Sequence, residues 1–379
     1  MIYEKLISEN KNWVEETLDK IDKKLSVVVK RNAEKIPFGA EDDGMYIDTS
    51  DAPLTWTNGF WPGMLWLMYN RTGNEDYRKA AEWSEKVLDG GFARPEKTHH
   101  DTGFIWHISS GVNYRLTGNS QSKVRNLLAA MILASRYNCD GNFIRAWPRE
   151  DAAGWTIIDC MMNLPQLYWA SEVTGDDRFK RIAIHQADMS MRDHVREDGS
   201  VNHIVSHDLD KRDTVIETFG GQGYSVGSCW TRGLSWAVYG FIISYRYTGK
   251  KEYLETSEKT ARHFIENVKK TNYLPLLDFR QPAEPVYYDS SAGAVTACGL
   301  IDLAKTVEDE EKKEYYLSSA IKMLKAMDEK WCDYSLETDN ILTMSSASYK
   351  GKKHINVIYG DFYFIEALLK LSGSEFTPW

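Results

Sequence analysis

WTNGFWPGMLWLMYNRTGNEDYRKAAEWSEKVL, Trp56 to Leu88, carries the pattern from which the fold is read. A lead rich in Gly and aromatics gives way to GMLWLMY, which is apolar nearly all round. This run closes at Thr72-Gly73. A second segment follows, with one apolar stripe and Lys and Glu opposite. Amphipathicity makes the first segment a helix without a wet side and the second a helix with one. Gly73 suits a helix C-cap, because glycine takes the left-handed conformation at little cost.

The same unit recurs along the chain. It runs from Thr102 through NYRLTG to Arg136, and from Asp159 through EVTGDDRFKRIAIHQADM to Val195. It returns from Trp230 through SYRYTGKKEYLETSEKTARHFIENV to Val268, and from Ser290 to Met327. YGDFYFIEALLKLSG, Tyr359 to Gly373, is a sixth inner segment, for which the N-terminal helix, about Tyr3 to Glu34, is a candidate outer partner. The Thr-Gly marks at Gly73, Gly118, Gly175 and Gly249 are unevenly spaced, which places insertions in the loops ahead of the inner helices. Six such pairs predict an all-α chain: an (α/α)6 barrel of six inner and six outer helices. A helical solenoid is the alternative, but the terminal partner helix favours closure. No linker divides the chain, so residues 1–379 read as one catalytic domain. Strands should be few, near GSVNHIVSHD (Gly199 to Asp208) and LPLLDF (Leu274 to Phe279).

Composition narrows the class. The chain has 379 residues, 42% hydrophobic and 27% charged, which excludes a disordered or collagenous chain. No apolar run is long enough to span a membrane. The charged start MIYEKLISENKNWVEETLDK lacks the apolar core of a secretory signal. A formal net charge of −9 argues against nucleic acid as a partner, because phosphate binding needs a basic face. Cys139, Cys160, Cys229, Cys298 and Cys332 are widely spaced and form no CxxC, so neither a disulfide framework nor a zinc site is favoured. The expectation is a reduced, cytoplasmic protein. Thirteen Trp exceed what a core needs and suggest platforms for a polar ring ligand such as a sugar.

The chemistry-bearing residues collect just ahead of the inner helices: Trp56, His99-His100-Asp101, Trp147, Asp159, Trp230-Thr231-Arg232 and Trp236. In a barrel these positions open onto one face and would form a sugar pocket. The plain alternative for each is a helix cap or a packed core residue. Asp159 lies in WTIIDCMMNLPQLYWA, just upstream of a helix whose first turn holds Pro165. It could cap that helix. Its apolar neighbours instead disfavour the charged form, as would a nearby Asp101, and a carboxylic acid kept protonated can donate a proton. His99, His100 and Asp101 could be a metal fragment. Three consecutive side chains cannot converge from a regular element, however, and no second ligand pair accompanies them. GGQGYSVG (Gly220 to Gly227) lacks the flanking strand of a dinucleotide turn and reads as a loop carrying Gln222 to the pocket. SSASYKGKKH (Ser345 to His354) offers hydroxyls and lysines to an anion, or else is a solvated basic loop.

Taken together, HHDTGF, IIDCMMNLP, WTRGLSWAVYG and YGDFYFIEALL resemble the unsaturated glucuronyl hydrolases, glycoside hydrolase family 88. The likeness runs from WTNGFW to the last helix. It implies an (α/α)6 barrel without metal or organic cofactor. The substrates implied are small oligosaccharides released by polysaccharide lyases, with a Δ4,5-unsaturated uronic acid at the non-reducing end. By this resemblance Asp159 is the acid/base residue and Asp101 the second carboxylate. Trp56, His100, Trp147, His203, Gln222, Trp230, Arg232, Trp236 and Tyr349 match its substrate-binding set, with Arg232 suited by charge to the uronate carboxylate. Ser345, Ser348 and Lys350 reproduce the Ser-x-x-Ser-x-Lys pattern of members that accept sulfated disaccharides. The unsaturated rhamnogalacturonyl hydrolases share the barrel and the chemistry and are the runner-up. An epimerase would need paired His on the inner helices, and a non-catalytic sugar-binding barrel need not keep both Asp. The oligomeric state is left open.

Overall fold

A computed structural model describes residues 2–41 and 43–379. Its elements run in the order α1 (Ile2–Arg31), β1 (Pro37–Ala40), β2 (Tyr46–Asp48), α2 (Phe60–Thr72) and α3 (Glu75–Leu88). A π-helical segment (Gly103–Gly111) then leads directly into α4 (Val112–Thr117), followed by α5 (Ser120–Ser135), β3 (Tyr137–Asn138), β4 (Phe143–Ile144) and β5 (Trp155–Ile157). After these come α6 (Leu164–Thr174), α7 (Asp177–Met189), β6 (Ile204–His207), β7 (Val215–Phe219), α8 (Thr231–Thr248) and α9 (Lys251–Val268). The chain ends with α10 (Ser290–Thr306), α11 (Glu310–Trp331), β8 (Asn356–Val357) and α12 (Ile358–Leu371).

The inner helices form a closed ring. α2, the π-helical segment, α6, α8, α10 and α12 each touch the next, and α12 returns to α2. The outer layer is α3, α5, α7, α9 and α11, with α1 packed on α11 and α12 as the sixth. This is the predicted (α/α)6 barrel, and α1 is the partner helix that closes it. Trp13 donates to Asp328 at 2.8 Å, and Lys24 to the Asp333 carbonyl at 2.8 Å. Every described residue of α10 from Ser290 to Ala304 is buried, and so is every residue of α12. Trp61, Trp66, Trp106 and Trp236 are fully buried in the core.

The Thr-Gly marks are the corners of the pairs. Gly73, Gly118, Gly175 and Gly249 cap inner helices at φ 70° to 75°, the left-handed region that favours glycine. The next residue often starts the outer helix: the side chains of Asn74, Asn119 and Asp176 accept from backbone N–H groups of the first turn. These short corners hold the closed end tight. The longer insertions fall at the other end, ahead of the inner helices.

GSVNHIVSHD does contain a strand, β6, but LPLLDF does not form one. It makes isolated bridges only, Leu276 with Tyr288 and Asp278 with Trp230. Seven other strands among the described residues were not predicted. They have two to five residues each, too few to show an alternation in sequence. They make three small sheets, β2-β1-β8, β3-β4 and β5-β6-β7. No helix among the described residues is long and apolar enough to cross a membrane.

Candidate active site

At the end of the barrel where the insertions lie is a cavity of about 280 Å³, at the small end of small-molecule sites. Trp56, His100, Asp101, Trp147, Asp159, His203, Gln222 and Arg232, all named from sequence, line it together with Ile157, Ile204 and Gly221.

Asp101 stands at the start of the second inner helix. Its two oxygens lie 2.9 Å from His99 Nδ1 and 3.0 Å from His100 Nε2. Burial alone would raise its carboxyl, but the two imidazoles outweigh burial and hold it below the usual carboxylate range. His100 is the counterpart: burial would lower it, and Asp101 and Asp159 outweigh that and raise it. Its Nδ1 donates to the Ala146 carbonyl at 3.0 Å, and the Trp147 ring stands edge-on at 5.7 Å. The donor atoms of His99, His100 and Asp101 all lie within 4.8 Å of one another. The sequence reading excluded that convergence for a regular element. The segment is an irregular turn, and the three are joined as a carboxylate between two imidazoles.

Asp159 sits in a short 3-10 turn (Ile158–Met162) between β5 and α6. It is not sealed among its apolar neighbours, because its carboxylate opens on the cavity. Its Oδ2 is 3.4 Å from His203 Nε2, yet neither atom has a hydrogen-bond partner. His203 Nδ1 accepts the backbone N–H of Gln222 at 2.9 Å, which leaves the ring proton on Nε2, facing Asp159. The loop can come this close only through Gly221. At φ 56°, a Cβ there would lie 2.0 Å from His203 Nδ1. Asn163 joins the two carboxylate segments. Its Oδ1 accepts from the Phe104 N–H at 2.9 Å, and its Nδ2 donates to the Asp159 carbonyl at 3.3 Å.

Several predicted residues have other work. Arg232 is fully buried and ion-paired with Asp289, and it donates to the carbonyls of Ser346 at 2.6 Å and Ala347 at 2.8 Å. Its guanidinium lines the cavity while Nη1 and Nη2 hold Asp289 and the late loop. Burial raises the Asp289 carboxyl even against Arg232. Trp230 lies behind the wall, with its ring 4.2 Å from His203 and 4.6 Å from the Arg232 guanidinium. Trp236 does not reach the cavity and packs in the core on Phe104 and Tyr363.

The late loop abuts the cavity without lining it. Tyr349 N–H donates to the Gln222 carbonyl at 2.8 Å, and the Gln222 side chain donates to the Ala347 carbonyl at 2.9 Å. The Tyr349 ring packs on Tyr224 and Tyr287. Ser345 is turned inward: it is fully buried, its hydroxyl pairs with Ser290 at 2.8 Å, and its backbone pairs with Ile355. It cannot meet a sulfate as predicted. Ser348 is half-buried and Lys350 exposed.

Sequence reasoning missed Asn163 and Asp289. Asn163 is one helical turn beyond Asp159, and Asp289 immediately precedes the fifth inner helix, where the other site residues also stand.

The sequence profile of Glycosyl Hydrolase Family 88 matches residues 28–366. The chain is 34% identical over 364 residues to the unsaturated glucuronyl hydrolase of Bacillus sp. strain GL1, covering 93% of this chain and 94% of that one. The crystal structure of the Bacillus sp. GL1 unsaturated glucuronyl hydrolase, described as responsible for the degradation of glycosaminoglycan, superposes with a TM-score of 0.87. It shows 33% identity and covers 93% of this chain and 96% of that one. A mutant unsaturated glucuronyl hydrolase from Streptococcus agalactiae, complexed with dGlcA-GalNAc6S, superposes with a TM-score of 0.81, at 26% identity over 97% and 94% of the two chains.

Proposed function

Because the chain belongs to Glycosyl Hydrolase Family 88, we propose that it removes a Δ4,5-unsaturated glucuronic acid from the non-reducing end of glycosaminoglycan oligosaccharides. It is a glycoside hydrolase, and a small oligosaccharide is its substrate. Residues 1–379 act as one catalytic unit, a reading supported by the ring that α1 closes on α12.

The observation that carries the reading is the pair of unpartnered atoms on the cavity wall, Asp159 Oδ2 and His203 Nε2. Buried polar atoms without partners are costly, so two that stand 3.4 Å apart on the wall of one cavity are groups held ready for a ligand. In the proposed reaction Asp159 delivers a proton to C4 of the vinyl ether. Water then attacks C5 and returns a proton to Asp159. The C5 hemiketal opens by breaking its bond to the ring oxygen, which becomes the hydroxyl of a hemiacetal at C1. That hemiacetal expels the remaining sugar as an alcohol and leaves an aldehyde at C1 and a ketone at C5. Asp101, kept ionised between His99 and His100, accepts substrate hydroxyls beside the reacting carbons. Trp56 and Trp147 supply apolar walls for the ring, and His203 donates from Nε2.

The test is turnover of an unsaturated disaccharide in ¹⁸O water, followed by loss of the conjugated absorbance and by mass spectrometry. Label is expected in the C5 keto oxygen when product exchange is controlled. Label confined to C1 refutes the hydration route.

A further inference from the structure

We infer that a buried relay of hydrogen bonds, Thr102 to Gln166 to Asn126 to His107, keys the second inner segment into its π-helical register and thereby sets where Asp101 stands in the cavity. Gln166 and Asn126 are thus positioning residues for the reaction proposed above, on which the inference rests.

The second inner segment, Gly103–Gly111, is π-helical over nine residues and buried throughout, whereas the other inner helices, α2, α6, α8, α10 and α12, are α-helical. π-Helices are rare, mostly single turns, and cluster at functional sites. A costly backbone form persists only where its surroundings over-determine it. Here the surroundings are side chains of the two neighbouring helices. The Thr102 hydroxyl donates to Gln166 Oε1 at 2.7 Å, Gln166 Nε2 donates to Asn126 Oδ1 at 2.8 Å, and Asn126 Nδ2 donates to His107 Nδ1 at 3.2 Å. All four residues are fully buried. An amide NH2 can only donate, so His107 is neutral with its proton on Nε2. Burial, with Arg115 nearby, holds that imidazole well below its ordinary range.

The relay fits one register only. Thr102 and His107 are five residues apart, and i→i+5 bonding brings such residues onto one face. In an α-helix the fifth residue on lies about 140° round the axis, so one adjacent pair of amides could not hold both. Gln166 stands on α6 and Asn126 on α5, so the segment is held from both neighbours at once. Asp101 immediately precedes Thr102, and its carbonyl accepts from Ile105 N–H at 3.2 Å, which ties its main chain to the first turn. A π segment holds more residues than an α-helix between the same ends. Losing one of them to an α register would turn Asp101 about 100° round the axis and swing its carboxylate off the cavity wall. α6 also begins just beyond Asp159, so the relay refers Asp101 to the helix that follows the other carboxylate.

The experiment measures kcat and KM of the full-length enzyme on an unsaturated disaccharide, beside thermal melts, for wild type, Thr102→Val, Thr102→Ser, His107→Phe and the double variant Thr102→Val/His107→Phe. The single changes to Val and Phe remove the two ends of the relay, and neither Thr102 nor His107 lines the cavity. Each is expected to lower kcat about tenfold to hundredfold, the cost of a displacement near 1 Å, with KM changed less than about threefold. Thr102→Ser keeps the hydroxyl and is expected to keep the rate. The double variant is expected to lose no more than the worse single one, because the relay acts as a unit. Thr102→Val exchanges one hydroxyl for a methyl and decides the matter if His107→Phe does not fold. Folded variants with wild-type kcat, a Thr102→Ser loss equal to that of Thr102→Val, or losses that multiply in the double variant overturn the relay while leaving the proposed reaction standing. A wild-type enzyme inert on the disaccharide overturns the reaction and the positioning role with it.

Discussion

Asn163→Ala tests whether the two carboxylates are held in register by one amide. The side chain spans the segments that carry Asp101 and Asp159, accepting from Phe104 N–H and donating to the Asp159 carbonyl. Asn163 and Phe104 are both fully buried. Truncation leaves the Phe104 N–H without its acceptor. A buried donor stripped of its partner costs about 1–3 kcal/mol, and the longer bond to Asp159 adds only a fraction of that. Unfolding entropy of roughly 2.1 cal/mol/K per residue gives about 0.8 kcal/mol/K for this chain. The melting temperature should therefore fall by only about 1–4 °C. Turnover should suffer far more, because a shift of about 1 Å in catalytic geometry can cost on the order of 10²-fold. The assay is kcat and KM on an unsaturated disaccharide beside a thermal melt. A fall in kcat of at least about tenfold is expected, with KM much less affected. A variant that keeps wild-type kcat while its melting temperature drops as calculated would show that Asn163 holds the fold and not the site. Gly103→Ala attacks the same contact from the other side, since its Cβ would stand 2.8 Å from the Asn163 Cα.

Asp159→Asn should keep the fold and ligand binding but lose on the order of 10² to 10⁴ in rate, as expected when a general acid is removed; more than about a tenth of wild-type kcat would exclude the role. Lys350→Ala should raise KM for a sulfated disaccharide about tenfold, the equivalent of one charge-assisted bond, and leave the unsulfated one unchanged; equal losses on both would refute sulfate recognition, and Ser345→Ala should act through stability alone. Burial pushes the Asp361 carboxyl up to about 6, against hydrogen bonds from Leu342 N–H, the Tyr46 hydroxyl and Ile341 N–H. A carboxyl raised on folding contributes stability fully present below its unfolded value near 4 and lost as pH climbs through about 6, roughly 3 kcal/mol in all. Asp361→Asn should flatten the stability profile between about pH 4 and 6, and denaturant melts that kept the wild-type slope there would refute the assignment.

The barrel was legible because its two helix classes differ in composition, and because glycine at the corners answers a backbone need that no tertiary contact can waive. The site was partly legible for a related reason. Residues ahead of inner helices share one end whatever the loops do, and eight of them do meet. The failures are those of depth and pairing. Trp236 lies in the second turn of α8, six residues below Trp230. At about 1.5 Å per residue it sits some 9 Å under the wall, where it can only pack. The pairing of Arg232 with Asp289 was missed, because the two are 57 residues apart and no local pattern links them. Ser345 was grouped with Ser348 and Lys350 by spacing, yet its bridge to Ile355 turns it into the core. The sheet that lends Ile157 and Ile204 to the cavity wall is built from strands too short to betray a period.

Closure of the ring by α1 has a consequence for synthesis. The apolar stripe of this helix, Val14, Leu18, Ile21, Leu25, Val28 and Val29, is buried in the finished barrel, much of it against elements near the other end of the chain. Trp13 and its acceptor Asp328 are separated by 315 positions. At about 5–20 residues per second the ribosome needs roughly 15–60 s to cover that distance. For all of that time the first helix is out of the tunnel with its destination not yet made. A stripe of that kind invites aggregation or chaperone capture, so yield in a heterologous host should depend on translation rate and chaperone supply more than on the stability of the final barrel.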